Sequence, residues 1–105
     1  MILPDLEIPD IELATFCRRW KVAELSLFGS ALRDDFGPES DVDLLVTFKA
    51  DARWSLLDHV RMEEEARSLF GRDVDIVTRR AVERSRNPIR RQAILGSSRM
   101  IYAAG

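Results

Sequence analysis

The sequence is nearly empty of the residues that cross-link or ligate through sulfur and imidazole: Cys17 and His59 are the only cysteine and the only histidine in 105 residues. A lone cysteine makes no internal disulfide, which excludes a stapled extracellular scaffold and points to a reducing compartment, the cytoplasm. One histidine and one cysteine also leave no ligand set for a structural zinc. Long apolar runs are missing too. The longest, Met100 to Ala104, is five residues, far short of a membrane span, and Met1-Ile2-Leu3-Pro4-Asp5 lacks the basic segment that opens an export signal. No membrane association is expected. Nor is there a basic excess: 16 Lys and Arg stand against 18 Asp and Glu, so bulk charge cannot hold a nucleic-acid backbone, and direct nucleic-acid binding is not expected.

What is present is a globular balance, 46% apolar and 32% charged. A chain of this length buries roughly two thirds of its surface on folding, enough for one core. One domain over residues 1–105 is expected, with residues 1–21 as an N-terminal extension and helix and 22–103 as its core. Pro4 and Pro9 mark an extended lead-in over residues 1 to 10. Ile11, Leu13, Ala14, Phe16, Cys17 and Trp20 then recur at helical spacing, with Asp10 as the expected N-cap. Ala23, Leu25 and Leu27 alternate with Glu24 and Ser26 before Gly29-Ser30, the pattern of a strand ending in a tight turn. Residues 31–36 fit a short helix stopped by Gly37-Pro38.

Asp41-Val42-Asp43 leads into Leu44-Leu45-Val46-Thr47-Phe48, apolar and branched enough for a central strand. From Trp54, the positions Leu56, Met62, Ala66, Leu69 and Phe70 predict the longest helix, with Gly71 as its C-terminal cap. A short strand over 73–77 and a helix over 79–95, broken at Asn87-Pro88, follow, and 99–103 fits a last strand. The fold class read from this order is α+β: a small mixed sheet with helices packed on it.

The chemistry is carried by Phe28-Gly29-Ser30, ten intervening residues, Asp41-Val42-Asp43 and, one strand later, Asp75. Each part alone is weak. Acid-x-acid pairs occur six times in the chain, so such a pair says nothing by itself, and Gly-Ser recurs at Gly96-Ser97 with no acidic strand behind it. Order and context carry the signal. Side chains alternate along a strand, so Asp41 and Asp43 share one face while Val42 and Leu44 share the other, and Asp73 and Asp75 lie together in the same way. Carboxylates gathered from neighbouring strands repel unless a cation lies between them, and an all-oxygen ligand set suits Mg²⁺. Gly29 leaves room for a phosphate to approach the backbone, and Ser30 offers an N–H and a hydroxyl at a helix start.

These residues resemble the minimal nucleotidyltransferases of the polymerase-beta-like superfamily, and above all the small antitoxins paired with HEPN-domain toxins. The resemblance spans residues 22–103 and rests on Leu27-Phe28-Gly29-Ser30-Ala31-Leu32-Arg33, Ser40-Asp41-Val42-Asp43-Leu44-Leu45-Val46 and Phe70-Gly71-Arg72-Asp73-Val74-Asp75-Ile76-Val77. Asn87-Pro88-Ile89-Arg90 and Ile101-Tyr102-Ala103 resemble the family's closing segment. It implies a nucleotidyltransferase fold in which Asp41, Asp43 and Asp75 are catalytic and bind Mg²⁺, while Gly29, Ser30 and Arg33 hold the triphosphate of ATP. It further implies transfer of AMP to a hydroxyl side chain, tyrosine first, of a HEPN-type toxin. Larger relatives carry a second domain for the acceptor, so here the acceptor is expected from a partner. Asp34 departs from the family, where many relatives have glycine after the arginine.

Plainer readings stand beside these. Asp41 and Asp43 fit a solvated strand end, Gly29-Ser30 a turn with Ser30 as N-cap, and Arg33 an ion pair with Asp34, Asp35 or Glu39. By alternation alone Asp73 is as well placed as Asp75. His59 reads as a core or boundary residue, Cys17 as buried and inert, and Tyr102 as packing. Residues 79–99 contain seven Arg and one Glu, while 1–13 contain four acids and no base, an asymmetry that fits a partner surface or a solvated face. The rival functions are a binding module that blocks a toxin stoichiometrically and a transferase acting on a small molecule.

Overall fold

Alternation and helical spacing resolve into a four-stranded mixed sheet with helices on both faces. The structure is a computed structural model, and it describes residues 2–3, 6–7, 9–29 and 41–104. The elements in chain order are β1 (Ile2–Leu3), β2 (Leu6–Glu7), α1 (Asp10–Arg19), β3 (Val22–Phe28), β4 (Val42–Phe48), α2 (Leu56–Phe70), β5 (Val74–Thr78), α3 (Arg79–Glu83), α4 (Pro88–Ser97) and β6 (Arg99–Ala103). The short helix expected over 31–36 and the Gly37-Pro38 loop lie outside the described residues.

The extended lead-in folds on itself, with β1 and β2 pairing antiparallel, Ile2 opposite Glu7 and Leu3 opposite Leu6. Strands of two residues leave no period for a sequence to display. The four-stranded sheet has the order β5-β4-β3-β6. β3 is antiparallel to both β4 and β6, and β4 is parallel to β5. A parallel pair needs a crossover, and α2 is that crossover.

One face of the sheet carries the main core. Leu13, Phe16 and Cys17 of α1 and Met62, Ala66 and Phe70 of α2 pack on Val22, Leu25, Leu27, Val42, Leu44, Val46, Val74 and Ile76. The edge of this core is pinned by tryptophan. Trp20 and Trp54 meet edge to face at 5.1 Å, Trp20 Nε1 donates to Glu65 Oε2 at 2.8 Å, and Trp54 Nε1 donates to the Trp20 carbonyl at 3.0 Å. The other face has a smaller cluster, Phe28, Leu45, Val82 and Ile94, covered by α3 and α4.

Several helix ends follow their local chemistry, and one departs from expectation. Ser55 and Asp58 form a reciprocal capping box at the start of α2, and Gly71 ends it in the left-handed conformation at φ +71°. Asn87 Oδ1 accepts from the N–H groups of Ile89 and Arg90, which explains the break before α4. Asp10, expected as the N-cap of α1, is instead its first helical residue; Pro9 takes the cap position, with no side-chain cap bond. An acid in the first turn still sits favourably against the helix dipole. Two expected core positions face outward: Ile11 is 79% exposed and Leu56 is 82% exposed. The buried stripe of α2 starts only at Met62, with Ala66 and Phe70 following it.

Candidate active site

Register brings the acidic residues together. Phe28 of β3 lies opposite Asp43 of β4, and Asp43 lies beside Asp75 of β5, so Phe28, Asp43 and Asp75 form one row across three strands. The next row is Ser26, Leu45 and Val77. Phe28, Leu45 and Val77 belong to the smaller cluster under α3 and α4, so the Asp43 and Asp75 row lies on that same face, at the open end of the sheet. Asp43 is half-buried and Asp75 exposed. Asp41, two residues earlier on the same side of the chain, is exposed just before β4 begins.

Gly29 completes this corner. It follows Phe28 at φ +68°, a conformation that disfavours any side chain, and a Cβ built on it would lie 2.5 Å from Asp43 Oδ2. The carboxylate of Asp43 therefore occupies the space that every other residue at position 29 would fill. Ser30 and Arg33, the other two residues expected at a triphosphate, lie outside the described residues.

Asp73 and Asp75 part company here, although strand alternation leaves them equivalent. The Asp73 carbonyl accepts from the Val42 N–H at 2.9 Å, which starts the β4–β5 pairing, and its carboxylate lies 3.8 Å from Arg67 Nε on α2. That helix covers the opposite face. Asp73 is thus drawn towards α2, and Asp75 alone of the two stands in the row with Asp43. Among the described residues, no group of three carboxylate, imidazole or thiol ligands is close enough to hold a metal ion. The donors that are present are all carboxylate oxygens on one face, the chemistry that suits Mg²⁺, with Asp43 and Asp75 as adjacent members.

A supporting residue escaped the sequence reading. Glu63 of α2 reaches the outer edge of β5, where its Oε2 accepts from the Ile76 N–H at 3.2 Å, one residue beyond Asp75. The signal was a half-buried acid on the sheet side of an amphipathic helix, indistinguishable by spacing from its neighbours Glu64 and Glu65. His59, 3.9 Å from Glu63 and 31% exposed in its side chain, is a boundary residue. Cys17 is fully buried, and burial pushes its thiol up to about 12.

Comparison with known proteins agrees with this geometry. The model of the nucleotidyltransferase domain family matches residues 12–99. A protein adenylyltransferase, MntA, of Thermococcus cleftensis is 37% identical over 65 residues, 62% of this chain and 64% of its own. A solved structure provisionally named a minimal nucleotidyltransferase is 32% identical with a TM-score of 0.62, covering 85% of this chain and 84% of its own. A toxin–antitoxin crystal structure with AMP-PNP shares the fold at a TM-score of 0.68 and 19% identity, over 92% of this chain and 75% of its own. With the family pattern running through nearly the whole chain and the acidic row set beside its glycine turn, this protein belongs to the nucleotidyltransferase domain family.

Proposed function

We propose that this chain, as one nucleotidyltransferase domain with its core at residues 22–103, is an antitoxin that transfers AMP from ATP to a hydroxyl side chain of a HEPN-type toxin. The observation that carries the reading is the pairing of Asp43 with Asp75 beside the left-handed Gly29, in a chain of this family. The acceptor class rests on the relative named as a protein adenylyltransferase, and the partner and nucleotide on the toxin–antitoxin structure with AMP-PNP. Tyrosine is the first choice among hydroxyl acceptors, as the resemblance implies.

In this reading Gly29 and Ser30 receive the triphosphate, the glycine by letting the phosphates close on the backbone and the serine by donating its N–H and hydroxyl. Arg33 neutralises phosphate charge. Asp41 and Asp43 would hold Mg²⁺, which supplies charge neutralisation on the phosphates and on the oxygen that attacks, and Asp75 would either join them as a ligand or, as in the transfer step, serve as the base. The acceptor oxygen bonds to the α-phosphorus while its proton passes to Asp75, the bond from that phosphorus to the β-phosphate's bridging oxygen breaks, and pyrophosphate leaves.

Intact-mass spectrometry of the co-encoded partner protein, incubated with this chain, ATP and Mg²⁺, tests the proposal. A gain in whole AMP units that is lost with Asp41→Asn, Asp43→Asn is expected. A stable complex without any gain would replace the enzyme by the stoichiometric binder.

A further inference from the structure

We propose that the far end of the sheet, opposite the acidic row, holds a second site that binds a small phosphate anion. Strands β4 and β5 run in parallel away from Asp43 and Asp75, and at their other end the segment from Val46 to Arg53 meets Thr78, Arg79, Arg80 and Glu83 around a cavity of about 310 Å³. Thr47 stands four positions after Asp43, about 13 Å along a strand, so one phosphate cannot serve both ends.

The cavity's charge is one-sided. Among the described residues, Lys49, Arg53, Arg79 and Arg80 line it against a single carboxylate, Glu83, in a chain whose net charge is −2. One of these cations is already set in place: Arg53 Nη1 donates to the carbonyls of Ala50 at 2.9 Å and Ala52 at 2.8 Å, which holds its guanidinium against the loop after β4. Another carries an unmet demand. Arg79 Nε is buried and has no hydrogen-bond partner. That atom is closed to solvent, so an oxyanion in the cavity would offset the charge of the Arg79 guanidinium at the wall rather than bond Nε itself.

The excess of cations favours a dianion or higher over a carboxylate, and guanidinium forks fit phosphate oxygens in pairs. The volume stands at the small end of ligand pockets, which span roughly 300–1,000 Å³, and suits a phosphate or diphosphate group. Thr47 and Thr78 also line the cavity, and the Thr78 hydroxyl accepts from the Ala81 N–H at 3.1 Å.

The test is amide NMR of the whole chain titrated with sodium phosphate and sodium pyrophosphate, free of divalent metal and at constant ionic strength. Saturable shifts confined to residues 46–53 and 78–83 are expected, and Arg79→Gln should weaken binding about tenfold or more. Lys49→Gln with Arg80→Gln, both at exposed positions, should do the same if Arg79→Gln disturbs folding. Binding should persist in Asp41→Asn, Asp43→Asn, whose changes lie at the other end of the sheet. Shifts that do not saturate, that survive both basic-site variants, or that vanish with the aspartate variant would overturn the assignment.

Discussion

The carboxylate of Asp43 stands where the side chain of residue 29 would be: Oδ2 is 2.5 Å from the position a Cβ on Gly29 would take. Two costs follow for Gly29→Ala. The left-handed φ of +68° is worth roughly 1–2 kcal/mol against a residue with a Cβ. The Asp43 carboxylate must also swing away. Transfer activity should therefore fall by more than the loss in thermal stability accounts for, and comparing initial rates with melting curves for this variant checks it.

Asp75 and Asp73 differ in register company. Asp75 stands beside Asp43, whereas the Asp73 carboxylate leans to Arg67. Replacing Asp75 by Asn should cut the transfer rate roughly 10²–10⁴-fold if it takes the acceptor proton. The same change at Asp73 should leave the rate essentially unchanged, since its exposed ion pair contributes little. Equal losses at both positions would remove the distinction.

Cys17 is sealed in the main core, and its thiol is raised from 9.0 to about 12 by burial, slightly opposed by the Arg18 charge. A thiol-reactive dye at pH 8 should label the folded chain only as fast as it unfolds, and label it at once in denaturant. The proton is held more tightly in the folded state. Stability should then decline as pH rises from about 9 towards about 12, where the unfolded chain alone loses it.

At the acid end, Asp58 is held below its ordinary 3.8 by accepting first from the Ser55 N–H and then from the Ser55 hydroxyl. Asp51 is lowered in the same direction, chiefly by its hydrogen bond with Lys21 at 3.1 Å. For a lowered carboxylate the stabilisation is complete above the unfolded value and disappears as the pH falls through the folded one. Helix α2 should therefore begin to fray below about pH 3.8, with Asp58→Asn flattening that limb; far-UV circular dichroism across an acid titration reads it.

Most of the sheet was legible because its strands are either alternating, as Ala23 to Leu27, or continuously apolar, as Leu44 to Phe48; the alternation suggests a strand buried on one face, whereas β3 is covered on both, with Ser26 and Phe28 buried opposite Leu25 and Leu27. Helix boundaries at Asn87 and Gly71, and the end of β3 at Gly29, were legible for the same local reason: each residue does something there that few others can. What sequence left open was decided by packing between elements. Asp73 and Asp75 are equivalent by alternation until Arg67 on a helix distinguishes them. Leu56 has the helical spacing of core, yet it is 82% exposed and the buried stripe of α2 begins at Met62. Glu63 looks like one of three surface acids until β5 needs an acceptor for Ile76. Neither the basic cavity nor its buried Arg79 Nε could be read from a run of arginines, because the cavity takes residues from two segments separated by a helix.

The parallel pairing of β4 with β5 also sets an order of events. The antiparallel pair β3–β4 is joined across residues 29–41, whereas Asp75 reaches Asp43 only after α2 has folded back across the sheet over residues 49–73, about twice that length. Ordering that loop costs entropy before the pairing repays it, which places this contact among the slow steps of folding. The acidic row is thus the property of no single segment: Gly29 and Asp43 meet through the β3–β4 pairing, and Asp75 joins them only through the separate β4–β5 pairing.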